Sequence, residues 1–505
     1  MPLRSFPNIP IMLLGLGLLC ANANASRPAT RTQSSPDAAP SAPAPTSPMA
    51  DDGSAPGESS NSDSSSESDS LPPGKAINAF SFNLFSALAK GPMPSVDSSG
   101  PDAAANILEL KNKVISGYSI YSALALAYMG TTGKSLAGSE LATILGIDDR
   151  LSKKKFAIQM AQLQRDLART SPTASNTDSK FSEDKSERQH IVPANIKMAN
   201  LIVVDQKTPI KPNYIKLAAF MGAELQTADL AADSADKMKT LARINAWSKE
   251  KTEGNIAEIL DDLKPYDVML FLNAISFKGQ WRLPFMPTMT KPSSFFYPGG
   301  KTPTVNMMEG PKQRYLHYAG KEGEIVELFY DSGDEFLRHS GAERLRITPL
   351  PRFSMLVFLP PRGTEHLLAA KTINPEQFQK LIDKMKYKTG VVLLPKFRVE
   401  SAYDLKQVLI SMGIASIFNK SLPNFPGIMD SGRLLHISNI VHKTIFEVNE
   451  HGTDATAVST VTAASMLTLD EESDVFTFTA NRPFLFFIRD YVNKTFPFQG
   501  SVISP

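Results

Sequence analysis

Glu450-His451-Gly452-Thr453-Asp454-Ala455-Thr456-Ala457-Val458-Ser459-Thr460-Val461-Thr462-Ala463-Ala464-Ser465-Met466-Leu467-Thr468-Leu469-Asp470 is the stretch whose reading decides the fold. It lies between runs rich in β-branched and aromatic residues, 440–449 upstream and 475–479 with 483–488 downstream, which read as strands. A connector of this length normally carries Pro, Gly, Asn or charge. After Asp454 this one has none of them until Asp470 and is almost wholly Ala, Thr, Ser and Val. Residues two apart share a face of a strand, so Thr453, Ala455, Ala457, Ser459, Val461 and Ala463 form a small, uncharged face that could be buried. The segment reads as a strand awaiting a sheet. A flexible Ala/Ser/Thr linker or a hairpin arm has the same composition.

At 505 residues, 42% hydrophobic and 21% charged, the chain has material for a large core in one large domain or several ordinary ones. A formal net charge of +2 gives no electrostatic case for nucleic acid or an anionic membrane, either of which calls for clustered basic charge. Lys153-Lys154-Lys155 is the local exception. Beside the helical spacing of Phe156, Met160, Leu163 and Leu167 it reads as a solvated face, with a polyanion site as the competing reading.

Residues 1–25 read as an export signal, with Arg4 ahead of the apolar run 9–19 and the small residues of Ala23-Asn24-Ala25 suiting cleavage before Ser26. That run is too short to span a bilayer. The chain's single cysteine, Cys20, falls inside the signal, so the mature protein has no disulfide and depends on core packing. Cys20 also raises a lipid-anchored alternative to simple secretion, against which Leu19 stands where a lipobox wants a small residue. Residues 26–75, rich in Ser, Pro and Ala, cannot offset their ordering entropy and read as a disordered leader.

Folding is expected from Ala76, where Ile77, Phe80, Leu84, Phe85 and Leu88 recur at helical spacing, and a second helix is predicted over 119–129. The polar segment 171–188 reads as a surface insertion. Strands are predicted at 199–204, 268–277, 355–359 and 391–394, and helices at 237–251, 375–385 and 402–412. This interleaving indicates one α+β domain over 76–505.

Catalytic constellations are missing. No Gly-x-Ser-x-Gly elbow, His-Glu-x-x-His pair or Gly-x-Gly-x-x-Gly turn occurs. Gly133-Lys134-Ser135 mimics a phosphate loop, but Tyr128 stands where that loop needs glycine, so it reads as a helix end. His436, His442 and His451 lack metal-ligand spacing. The residues assign no enzyme activity, metal or cofactor.

Several separated motifs nevertheless resemble one family, the serpins. The run 445–455, Ile-Phe-Glu-Val-Asn-Glu-His-Gly-Thr-Asp-Ala, resembles the family's hinge signature, with His451 and Asp454 each replacing Glu and Thr456 replacing Ala. The run 271–281, ending in Trp281, resembles the strand that leads to the breach tryptophan. Residues 244–247, 252–256, 394–401, 481–484 and 498–502 match as well. Asn112, Ser116, Ser119 and His442 resemble the polar set of the shutter. Gly117 departs from the family's proline there, and a looser turn is expected from it.

The resemblance implies a single-domain serpin fold, with helices around a large central sheet, smaller sheets, and an exposed reactive loop over 450–470. It implies an inhibitor that offers this loop to a serine protease, is cut, and inserts the freed segment into the main sheet while the protease remains covalently attached. Hinge residues would be Glu450, Gly452, Thr453, Asp454, Ala455, Thr456 and Ala457. Breach residues would be Trp281 and Lys396, with Lys396 near Glu450. Counting Glu450 as first, Met466 is the seventeenth residue, so the reactive bond is Met466–Leu467, with cleavage after Leu467 or Leu469 as alternatives. No Lys or Arg occurs between His451 and Asn481, which favours elastase-, chymotrypsin- or subtilisin-like targets over trypsin-like ones. The competing function is a non-inhibitory serpin with a chaperone, carrier or storage role. The expected form is a monomer that binds neither nucleic acid nor membrane, lipidation at Cys20 aside.

Overall fold

The computed structural model describes residues 73–90, 111–169, 193–230, 234–297, 302–331, 351–364, 374–429, 434–453 and 475–505. The chain divides into two units, Met1–Glu67 and Ser68–Pro505, and every described residue belongs to the second. The export signal, the leader as far as residue 72, the 171–188 insertion and the loop from Asp454 to Asp470 lie outside the described residues. Asp454, Ala455, Thr456, Ala457, Met466 and Leu467 are therefore among those outside.

The helices are α1 (Pro73–Lys90), α2 (Gly117–Gly130), α3 (Leu136–Ile144), α4 (Lys153–Ala168), α5 (Pro212–Phe220), α6 (Ser234–Lys251), α7 (Pro375–Asp383) and α8 (Lys406–Ser411). The strands are β1 (Lys113–Ile115), β2 (Asn195–Asp205), β3 (Ala223–Ala228), β4 (Met269–Gln280), β5 (Lys291–Ser294), β6 (Thr304–Glu309), β7 (Gln313–Gly320), β8 (Gly323–Phe329), β9 (Phe353–Leu359), β10 (Lys386–Pro395), β11 (Phe397–Asp404), β12 (Asn439–Asn449), β13 (Gly452–Thr453), β14 (Phe476–Thr479), β15 (Phe484–Asp490) and β16 (Thr495–Val502).

Six strands form one sheet in the order β11-β12-β13-β4-β2-β3. Both faces are covered, which is why β4 reads as an unbroken apolar run. Phe271, Ile275 and Phe277 join the main core with α2, while Leu270, Leu272 and Ala274 pack with Ile244 and Trp247 of α6. Helix α2 is buried on nearly every side and accordingly has no polar stripe. The other ten strands run β1-β16-β15-β9-β8-β7-β10-β6-β5, with β14 paired to β10. In place of several smaller sheets, these strands form one ten-stranded sheet, continuous through β10, whose Lys386–Gly390 half pairs with β7 and whose Leu393–Pro395 end pairs with β6. No described helix is long and apolar enough to cross a membrane.

Helix α1 begins at Pro73, ahead of the apolar spacing that starts at Ile77. Proline suits a first turn, and the glycine at 74 lets that turn approach the carbonyl oxygen of Asn493. The helix predicted over 402–412 is corrected: 402–404 belong to β11, and α8 covers only Lys406–Ser411. Phe397, Val399 and Ser401 are buried in alternation with exposed Arg398, Glu400 and Ala402, so period-two burial extends to this end. The pairs Ala402↔Lys443, Tyr403↔His442 and Asp404↔Val441 complete the ladder with β12.

Candidate functional site

The six-stranded sheet has a seam between β4 and β12. These strands pair directly and in parallel from Asn439↔Leu270 to Ile445↔Ser276. Beyond that point they diverge, and β13 fills the gap antiparallel to both, with Thr453 opposite Val448 and Gly279, and Gly452 opposite Asn449 and Gln280. The first loop residues after the turn at 450–451 are thus already strand members. Thr453 is fully buried, and its hydroxyl lies 2.7 Å from that of Tyr330. Tyr330 stacks on Trp281 at 4.5 Å, and burial pushes its phenol well above the ordinary range.

The reversal that lets the chain double back depends on backbone that only glycine adopts readily. Gly452 has φ of +150°, and a Cβ there would meet the carbonyl oxygen of Gly279. Asn449 supports the turn, its Oδ1 accepting from the His451 and Gly452 amides at 2.9 and 3.3 Å. Trp281 closes it from the side: its indole N–H donates to the Asn449 carbonyl at 3.0 Å, and its amide donates to the His451 carbonyl at 2.8 Å.

Glu450 sits at the mouth of the seam, buried, with its carboxylate 2.9 Å from the ammonium of Lys396. The Thr290 hydroxyl donates to it at 2.8 Å, and its carbonyl accepts from the Phe285 amide at 3.0 Å. Burial opposes ionisation of Glu450, but the hydrogen bonds from Lys396, from its own amide and from Thr290 outweigh it and hold the carboxyl below its ordinary value. This anchor ties the turn at 450–451 to Lys396, just after β10, and to Phe285 and Thr290 in the connector after Trp281.

Lower in the seam lies a buried polar knot. The Ser116 amide donates to Nε2 of His442 at 3.2 Å, and Nδ1 of His442 faces Oδ1 of Asn273 at 2.6 Å. Because Nε2 accepts, Nδ1 must carry the proton, so the ring is neutral. Burial drives its pKa down to about 3. Asn273 continues to the Ser119 carbonyl at 3.3 Å and to Oδ1 of Asn200 at 2.7 Å, joining β12, β4, β2 and the start of α2. Ser116 caps α2 by accepting from the Ser119 amide at 3.1 Å. The Ser119 hydroxyl is buried without a partner among the described residues.

Two expectations for this knot change. Asn112 is not part of it; its side chain holds the C-terminal segment, accepting from the Ile503 and Ser504 amides at 2.6 and 2.9 Å. Gly117 is no loose point either. A Cβ there would lie 2.1 Å from Oγ and 2.6 Å from Cα of Ser81, so α1 packs against bare backbone where a proline ring has no room. The lysine run also divides: Lys154 and Lys155 are exposed, but half-buried Lys153 donates to the Tyr128 and Thr131 carbonyls, both at 2.6 Å, at the C-terminal end of α2. Burial lowers its pKa to about 8.

The far root of the loop is held differently. Among the described residues, strand β14 pairs with β10 alone, over Gly390↔Phe476 to Leu393↔Thr479. The Phe476 ring lies flat on His317, centroids 3.8 Å apart at 4°, above Gly390, where a Cβ would come within 2.3 Å of it. Nε2 of His317 is 2.9 Å from Oε1 of Glu324.

The structure brings Glu450, Gly452, Thr453, Trp281 and Lys396 together, and Ser116, Ser119 and His442 some way below them. Sequence reading missed Tyr330, Thr290, Asn273, Asn200 and the His317 platform. Asn273 had a signal, because an amide inside an otherwise apolar strand must find partners. The others meet the site only through contacts between segments remote in sequence.

The family described as Serpin (serine protease inhibitor) matches residues 75–505. Serpin B10 of Bos taurus is 30% identical over 408 residues, covering 79% of this chain and 94% of that protein. Human antithrombin-III is 31% identical over 314 residues, 61% of this chain and 62% of its own. Among solved structures, the thermophilic serpin tengpin in its native state aligns with a TM-score of 0.64 at 23% identity, covering 86% of this chain and 94% of that one. Human thyroxine-binding globulin aligns with a TM-score of 0.64 at 21% identity, covering 86% of this chain and all of its own. With the fold, the seam and these likenesses agreeing over the whole described region, the chain belongs to the serpin family.

Proposed function

We propose that this protein is a secreted suicide-substrate inhibitor of serine proteases. The observation that supports it is the hinge: Gly452 and Thr453 are already paired between β4 and β12, at the open end of a seam that is otherwise closed. On this reading a protease serine hydroxyl attacks the Met466 carbonyl carbon, the amide bond to Leu467 breaks, and the Leu467 amine leaves with the far part of the loop. The near part, now an acyl ester of the protease, follows β13 into the seam. In a strand continuing from β13, Ala455, Ala457, Ser459, Val461 and Ala463 would share the face of Thr453, and none is too large or too polar to follow it. Each new ladder bond contributes about 1 kcal/mol, and burial of apolar area adds about 25 cal/mol per Å². The protease supplies the catalysis; this chain supplies the scissile bond and an unfilled seam. On this reading it acts as a monomer.

The test is to mix the full chain with elastase, chymotrypsin, subtilisin and trypsin and look for a denaturant-resistant adduct. Adducts are expected with one or more of the first three and not with trypsin. Loop-nicked protein should also melt well above the intact form, since it gains a strand. Cleavage with neither adduct nor a raised melting point would instead support the carrier or storage reading.

A further inference from the structure

Asn-x-Ser/Thr occurs at Asn24, Asn419 and Asn493. The first straddles the expected signal cleavage; the other two lie in described structure and differ sharply. At Asn493 the side-chain amide donates to Oδ2 of Asp490 at 2.7 Å, within the β15–β16 turn. The third residue of that triplet, Thr495, is 1% exposed and its hydroxyl is buried. The Asn493 carbonyl also lies against Gly74 at the start of α1. A sugar there would have to share the turn with α1.

Asn419, Lys420 and Ser421 are all exposed. The backbone is fixed from beneath: the Asn424 side chain donates to the Ser416 and Asn419 carbonyls at 2.6 and 3.1 Å. Oδ1 of Asn419 accepts from the Ser421 amide at 2.8 Å, an Asx turn that leaves Nδ2 directed to no described hydrogen-bond acceptor. The site is thus a rigid loop presenting a free carboxamide nitrogen, with the triplet's hydroxyl on the same surface.

We infer that Asn419 is an N-glycosylation site and that Asn493 is not one in the folded protein. The co-reactant is an oligosaccharide carried on a polyisoprenyl diphosphate. Nδ2 attacks the anomeric carbon, the bond from that carbon to the phosphate oxygen breaks, Nδ2 loses one proton, and the polyisoprenyl diphosphate leaves. Transfer meets the chain while it is still extended, so the fold acts as the filter. A glycan on Asn493 would replace one of the two Nδ2 protons beside Asp490 and crowd the turn against α1, whereas a glycan on exposed Asn419 projects into solvent. The Ile437 amide bonds the Ile417 carbonyl beside this loop, which places Asn419 at the start of β12, while the hinge follows its end. At ~3.3 Å per residue the two lie about 35 Å apart, so the glycan leaves the reactive loop open.

The test expresses the full mature chain, residues 26–505, behind a well-behaved heterologous signal in a eukaryotic secretory host. The secreted protein should fall in mass on treatment with a peptide-N-glycosidase, and peptide mass spectrometry should find Asn419 converted to Asp. Asn419→Gln should abolish the shift, and Asn493→Gln should leave it whole. No shift in the secreted wild type, or a shift lost in Asn493→Gln and kept in Asn419→Gln, overturns the assignment. These readouts involve no protease and stand or fall independently of the inhibitory reading.

Discussion

The hydroxyls of Thr453 and Tyr330 are 2.7 Å apart, and the Tyr330 ring stacks on that of Trp281. The leading edge of the loop is thereby held in the sheet by a side-chain bond in addition to its ladder pairing. Replacing Thr453 by Arg would place a guanidinium where the side chain has no exposure, at a desolvation cost of several kcal/mol. On the proposed inhibitory mechanism, Thr453→Arg should therefore convert an inhibitor into a substrate, with the adduct yield falling at least tenfold while the loop is still cut. Tyr330→Phe removes only a bond of about 1 kcal/mol and should retain most of the yield. Gel quantification of adduct against cleaved protein decides; an unchanged yield in Thr453→Arg would mean that insertion does not pass through this position.

The Glu450–Lys396 pair closes the mouth of the seam at 2.9 Å, with the lysine side chain 40% exposed. A pair of this kind is worth about 1 kcal/mol, enough to change spontaneous opening severalfold. Glu450→Lys should lower the temperature at which loop-sheet polymers form. Adding Lys396→Glu should partly restore it, as expected of coupled neighbours. Incubation below the melting temperature with native-gel readout tests the coupling, which is disproved should the double variant polymerise as readily as the worse single one.

His442 makes the lower seam sensitive to acid. Its folded-state pKa of about 3 lies below the ordinary 6.5, so between these values the unfolded chain binds more protons than the folded one. The stability it contributes is complete above pH 6.5 and is lost progressively as pH falls toward 3. Protonation would also set an Nε2 proton against the Ser116 amide that now donates there. Melting temperature should drop across this window, and His442→Gln should show a shallower drop. Parallel slopes for the two proteins would exclude His442 as the acid-sensitive group.

Phe476 lies over Gly390 with no room for a Cβ beneath its ring. Gly390→Ala should displace that ring and weaken the single pairing that holds β14, leaving an uncut loop freer to enter the seam. Inhibitory activity should decay several times faster on warm storage, and the product should be an intact, monomeric, heat-resistant chain. Decay at the wild-type rate would show that the far root does not limit the process.

Much of this was legible in order along the chain. The small, uncharged face from Thr453 onward, the apolar run of β4 and the glycine at 452 are local statements, since strand periodicity and backbone sterics act between near neighbours. Composition and the hinge motif therefore pointed to a strand resuming just after β12, as β13 does at Gly452–Thr453. They could not determine how far it enters. That depends on where β4 and β12 diverge, on Tyr330 arriving from the end of β8, and on Trp281 and Lys396 closing over the turn, contacts between residues 50 to 170 positions apart. The same limit explains the wrong expectations. Lys153 looked solvated until the end of α2 was packed beside it, Gly117 looked loose until Ser81 filled its space, and 402–404 looked helical until β12 offered a ladder. In each case the order of residues along the chain set which groups a position brings, and only the tertiary structure decided which distant group it meets, because burial and hydrogen-bond competition are settled by neighbours in space.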